Sequence, residues 1–377
     1  MGDFNHDYKK DFMLAPGSYL LNHSVGRPLQ TAEADFKQQF FTPWQESGIE
    51  PWRDWLGIIE RFTDGLSRMF NAPASEFCPQ VNLSSALTKL VMSVDSLQRD
   101  DTVILMSEID FPSMGFALKK ALPKNCELRF IPKALDITDA NVWDAHLTTD
   151  IDMVFVSHAY SNTGQLSPVD DIVAAAKSRG VLTLIDIAQS AGVVPVDLGA
   201  LQADFMIGSS VKWLCGGPGA AYLWVNRQHI ADCQPKDVGW FSHENPFEFD
   251  IHDFRYHKSA LKFWGGTPSV APYAIAAHSI DYFCQLGSEK LRQHNQHLIE
   301  LVANELGSEL VSPREQDKRS GTMILNFGHR QQQILSALKS ANISVDARSQ
   351  GIRVSPHIYN DEADMWRLLE LVGTTGW

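Results

Sequence analysis

The residues best suited to covalent chemistry lie in one stretch, LTLIDIAQSAGVVPVDLGALQADFMIGSSVKWLCGGPGAAYLWV, residues 182–225. Asp186 ends an apolar run and Gln189 follows three residues later. Ser209 and Lys212 come after the next apolar run. A lysine amine forms a Schiff base with an aldehyde, and a carboxylate keeps a pyridine nitrogen protonated. Pyridoxal phosphate needs both groups. The amide of Gln189 can hydrogen-bond the ring's phenolic oxygen. A lone lysine is usually a solvated surface residue. Lys212 instead follows an apolar run and precedes Trp213 and a glycine-rich turn. That turn, Gly216–Ala220, lacks GxGxxG spacing and leads into AAYLWV, so it is a poor dinucleotide fingerprint.

Such residues need elements to bring them together. Short apolar runs without strict alternation predict strands at Thr102–Ser107, Glu127–Ile131, Met153–His158, Leu182–Ile187, Asp204–Gly208 and Ala220–Val225. Between the third and fourth, Ser167 reads as an N-cap, Pro168 as the first helical residue and Gly180 as the stop. Strand–helix alternation predicts an α/β fold whose mainly parallel sheet carries helices on both faces. Ligands of such sheets gather at the carboxyl ends of strands, where Asp186, Gln189, Ser209 and Lys212 are all expected. After about residue 268 the pattern changes. Helices are expected over 270–285, 288–307, 330–340 and 361–371, with short strands at Met323–Phe327 and Ile343–Asp346. This predicts a smaller α+β C-terminal domain.

Composition excludes several classes of partner. The 377 residues include 32 basic and 45 acidic side chains, a net charge of −13. That disfavours nucleic acid, which is held by clustered Lys and Arg, and it disfavours anionic membranes. No apolar run approaches the ~18 residues of a membrane span. The opening MGDFNHDYKKDF has no signal-peptide core, and the five cysteines are widely spaced with no CxxC, so a cytoplasmic protein is expected. His294 and His297 share a helix face, but no third ligand is evident and no metal site is expected.

Several segments, in order, resemble pyridoxal-phosphate enzymes of the class V aminotransferase group, and within it most closely kynureninases. The resemblance covers most of the chain. It implies fold type I: a large domain with a mainly parallel, seven-strand-type sheet over 36–270. A linking helix and small domain then occupy 271–377, with an N-terminal segment, 1–35, packing against the small domain. Tyr19–Pro28 (YLLNHSVGRP) is similar to the group's entry motif, making His23 and Ser24 candidate substrate contacts. VNLSSALTKLVMSV resembles the first phosphate-binding segment, with Ser84 and Ser85 opening a helix whose free N–H groups favour an anion. In DFPSMGF, Phe111 would stack on the cofactor ring. SHAYSNTGQLSP brings Ser157, Ser161 or Asn162 toward the ring. Trp240, in GWFSHENPFEFD, would border the phosphate. Thr267, in FWGGTPSV, would reach the cofactor of the other subunit, implying a homodimer with shared active sites. Arg353, in GIRVSPHIYND, would grip the carboxylate of a small amino-acid substrate.

The chain also departs from the kynureninase pattern. Met114 stands where kynureninases carry an acidic residue, Gln189 where they have histidine and Val211 where they have tyrosine. Gln189 is similar instead to the aminotransferase and desulfurase branches. The desulfurase branch needs a cysteine shortly before the carboxylate arginine, and residues 334–352 contain none. These features favour transamination. A kynureninase-like hydrolase or other Cβ lyase is the alternative, and a non-catalytic binding protein a third reading.

Overall fold

The structure is a computed structural model that describes residues 6–374. Its centre is a sheet of seven strands: β1 (Phe77–Gln80), β2 (Val103–Ser107), β3 (Glu127–Ile131), β4 (Met153–Ser157), β5 (Leu182–Asp186), β6 (Phe205–Ser209) and β7 (Ala221–Val225). Their order is β1-β7-β6-β5-β4-β2-β3. Every pairing from β6 to β3 is parallel, and β7 runs antiparallel to both its neighbours. Strands β2, β4, β5 and β6 lack hydrophobic alternation because both faces are covered. Val154, Val156, Ile185 and Met206 join one buried cluster. Met153, Phe155, Leu184 and Ile207 join the other. Successive side chains point to opposite faces, so each apolar run feeds two cores at once.

The strand-end residues follow from this topology. The chain goes from β2 outward to β3, then crosses back to β4 and moves the other way through β5 and β6. The switch therefore falls between β2 and β4, and the parallel strands open a crevice at their carboxyl ends there. Helix α1 (Trp52–Phe70) packs on one face. Helices α2 (Leu83–Val91) and α3 (Pro112–Ala121) lie on the other, contributing Leu87, Leu90 and Leu118 to the second cluster. Helix α4 (Val169–Ser178) begins one residue later than its sequence signals predict. Pro168 is the cap, and Ser167 uses its hydroxyl to bond the Ser157 carbonyl at 2.9 Å.

Strand β1 has no counterpart among the predicted strands. Its Pro79 lacks a ladder donor, which an edge strand paired on one side tolerates. The C-terminal region contains α5 (Ala271–Leu286), α6 (Ser288–Glu305), α7 (Gln331–Ser340) and α8 (Glu362–Thr374). Its three-stranded antiparallel sheet joins β8 (Met323–Leu325), β9 (Asp346–Arg348) and β10 (Gly351–Val354), in the order β9-β10-β8. The predicted strand at 343–346 is thus two pieces: Ile343–Ser344 pairs with Ser18–Tyr19, and Asp346 opens β9. This region has its own core around Leu298, Val302, Met323, Ile352 and Leu368. Among the described residues no helix is long and apolar enough to cross a membrane.

Candidate active site

A cavity of about 300 Å³ lies at the carboxyl ends of the parallel strands. Its walls come from the segments following β1, β2, β4, β5 and β6. They include Ser84, Phe111, Ser157, Ser161, Asn162, Asp186, Gln189, Ser209 and Lys212. Residues as far apart in sequence as Ser84 and Lys212 meet because each ends or follows a strand pointing the same way.

Lys212 is half-buried, and among the described residues its amine makes no hydrogen bond or ion pair. Burial pushes its pKa below the ordinary lysine value; the nearby charge of Asp186 opposes that shift and the charge of Arg353 adds to it. A larger fraction of the amine is therefore the neutral, nucleophilic form. Asp186 is buried on the neighbouring strand end, and its Oδ1 accepts the Ala188 N–H at 2.8 Å. Burial raises its pKa, with the Ala188 N–H and Lys212 pulling the other way. A cation brought close to it would gain from that desolvated carboxylate. Gln189 donates through Nε2 to the His23 carbonyl at 3.0 Å, while its buried Oε1 has no partner among the described residues. Phe111 is 62% exposed at the cavity wall, leaving its ring available for stacking.

The helix beside Ser84 and Ser85 is capped by Asn82, whose side chain accepts the Ser85 N–H at 2.8 Å. The serines are therefore the second and third helical residues, not its opening pair. The first-turn N–H groups of Leu83 and Ser84 have no intrahelical partner. Ser85 lies outside the cavity lining. An Asn directly before an amphipathic run is a recognisable cap signal, and it identifies Asn82 as part of the wall.

Other predicted site residues sit elsewhere. Trp240 donates to the Thr267 hydroxyl at 3.2 Å, and neither lines the cavity. Ser24 is exposed outside it. His23 is buried with both ring nitrogens engaged, to Ser355 Oγ at 2.7 Å and to Asp346 Oδ1 at 3.0 Å. Arg353 reaches the rim, its Nη1 lying 3.4 Å from Ser161 Oγ. Its other edge is taken by Asp346, which the sequence reading missed. Asp110, also missed, is buried behind the cavity. Its Oδ2 accepts the Ser107 N–H at 2.8 Å, and its Oδ1 is without a partner among the described residues. Burial drives its pKa up to about 7, although the nearby Ser157 hydroxyl and the Ser107 N–H oppose the shift.

A family model for class-V aminotransferases matches residues 57–368. The chain belongs to that family. The match runs from α1, across the whole sheet, through Arg353 and into α8. Curated relatives named kynureninase include that of Shouchella clausii, 26% identical over 97% of this chain and 90% of the relative. Another, from Deinococcus radiodurans, is 28% identical over 89% of this chain and 83% of the relative. Among solved structures, the apo cysteine desulfurase of Thermococcus onnurineus superposes with a TM-score of 0.88 at 18% identity, covering 99% of this chain and 98% of that one. A C-DES mutant with glycine covalently linked to its PLP cofactor superposes with a TM-score of 0.86 at 20% identity, covering 99% and 100%. These structural likenesses establish the fold.

Proposed function

We propose that this family member is a pyridoxal-phosphate enzyme that acts on a small amino acid, with transamination as its reaction. The observation that carries the reading is the amine of Lys212. It is depressed in pKa, has no partner, and shares a cavity with a desolvated carboxylate, Asp186, and an orphaned amide oxygen on Gln189. Buried polar groups are normally satisfied, and unsatisfied ones gathered in one cavity fit a polar guest. Lys212 would hold the cofactor covalently, and Asp186 would face its ring nitrogen. Gln189 would meet its phenolic oxygen through the second N–H of Nε2. Ser84, Ser209 and the first turn of α2 would bind its phosphate. Phe111 would stack on the ring, with Ser157 and Asn162 at its edge. The cofactor supplies an electron sink for a carbanion at the substrate's α-carbon. Lys212 would also be the base placed to move that α-proton. Arg353 would hold the substrate carboxylate.

Val211 and Gln189 favour transamination over Cβ hydrolysis, because a valine cannot relay a proton. The near-full-length match to kynureninases supports Cβ cleavage as the second reading. A homodimer also belongs to this proposal. Trp44, 56% exposed, and Phe249, 75% exposed, are linked by ring contacts through Trp55, Trp52 and Trp240, so this exposed apolar surface is contiguous. Trp240 and Thr267, bonded to each other outside the cavity, would meet the partner's site.

A panel of amino acids, read by absorbance and product mass without added keto acid, tests the reaction. One stoichiometric turnover that leaves pyridoxamine phosphate is expected. Repeated turnover with a fragment released from Cβ would replace transamination by the second reading.

A further inference from the structure

Arg353 and Asp346 are register partners across the β9–β10 hairpin. Asp346 takes the guanidinium side-on: Arg353 Nε donates to Oδ1 at 2.8 Å and Nη2 donates to Oδ2. Two parallel bonds of this kind fix the plane of the fork as well as neutralise it. Asp346 is itself tethered. His23 Nε2 lies 3.0 Å from Oδ1, His23 Nδ1 lies 2.7 Å from Ser355 Oγ, and Ser355 Oγ lies 2.8 Å from Thr322 Oγ1. His23, Ser355, Thr322 and Arg353 are all buried. Burial keeps His23 below its ordinary pKa, so the neutral ring donates to Asp346 and accepts from Ser355. The chain of contacts ends at Arg353 Nη1, whose remaining edge faces Ser161 on the cavity wall.

We infer that Asp346, held by His23, is the positioning residue of the carboxylate site. It clamps one edge of Arg353 so that the Nη1 edge and the Ser161 hydroxyl together receive the substrate's carboxylate. This rests on the reading that Arg353 binds that carboxylate. A free arginine fork samples many rotamers and loses that freedom on binding, whereas a clamped one has already lost it. His23 then serves the substrate through Asp346, with no contact of its own.

The test uses the holoenzyme and two probes that differ only in the carboxylate, L-alanine and ethylamine, titrated by the visible absorbance of the cofactor. In the parent enzyme L-alanine is expected to bind more tightly. Asp346→Ala is expected to weaken L-alanine about 10- to 100-fold, the scale of a guanidinium displaced by about 1 Å, and to leave ethylamine within about twofold. Asp346→Asn, which keeps shape and one acceptor, falls between and carries the same test if the alanine variant does not fold. Equal weakening of both probes would show a merely structural residue and overturn the inference. Tighter L-alanine binding would overturn it as well, by making Asp346 a competitor. Arg353→Ala separates the two levels of the argument. If it abolishes the preference for L-alanine while Asp346→Ala preserves it, only the role of Asp346 fails. If it leaves the preference intact, the carboxylate role of Arg353 fails with it.

Discussion

The surroundings of Lys212 and Arg353 solve opposite problems with similar means. Both are cationic side chains at the same crevice; Lys212 lies near the buried carboxylate of Asp186, and Arg353 pairs with the half-buried carboxylate of Asp346. Around Lys212 the polar groups are left incomplete: the amine is unpaired and Gln189 Oε1 has no donor. Behind Arg353 they are complete, with Asp346, His23 and Ser355 closing the chain and only the Nη1 edge left toward the cavity. In the proposed reading, an incomplete set stores affinity for a guest that would make covalent and ionic bonds. A complete set gives up some of that affinity in return for a fixed direction. The two are joined by residues 22–26: Gln189 bonds the His23 carbonyl, and the Gly26 N–H bonds the Val211 carbonyl at 2.9 Å.

The contrast can be broken most forcefully at its incomplete half. Lys212→Ala is expected to abolish the yellow absorbance of the purified protein and reduce turnover by about 10⁴-fold or more. A variant that stays yellow and active would remove the lysine from the mechanism. Next in size is the joint between the halves. A Cβ at Gly26 would meet the Lys212 carbonyl oxygen at 2.1 Å and Cys215 Sγ at 2.6 Å. Gly26→Ala should therefore destabilise the protein by about 1–3 kcal/mol in denaturant unfolding, and an unchanged midpoint would mean the segment does not grip the lysine loop.

The smallest effect sharpens the electrostatics behind the cavity. Asp110 has its folded pKa raised to about 7, against an unfolded value near ~3.9. The folded chain keeps a proton that the unfolded chain has released, so stability falls as pH rises from about 4 to about 7. Asp110→Asn, which retains an acceptor for the Ser107 N–H, should gain a few degrees in melting temperature over the parent across that window. The advantage should then level off. A constant offset from pH 4 to 8 would show that Asp110 does not titrate there.

The sheet was largely legible in the sequence because its strands are short apolar runs set between helical patterns. Of the six strands predicted for this sheet, four differ by one residue at one end, Asp204–Gly208 is displaced by one residue at both, and Glu127–Ile131 falls where expected. Strand β1 was not legible, since a four-residue run containing Pro79 carries no strand signal until its antiparallel partner is in place. At the cavity, Lys212, Asp186 and Gln189 could be found because each sits at or just past a strand end. Asp346 left a fainter trace, seven residues before Arg353 with Gly351 between them, a spacing that fits a hairpin.

The sequence by itself determined the parallel sheet, the strand-end crevice and the lysine–carboxylate pair, because periodicity and chain order are local properties. Only the tertiary structure decided that Arg353 is already engaged and that His23 faces Asp346, 323 residues away, instead of the cavity. Hydrogen-bond geometry across such a separation depends on how two cores pack, which no local pattern encodes.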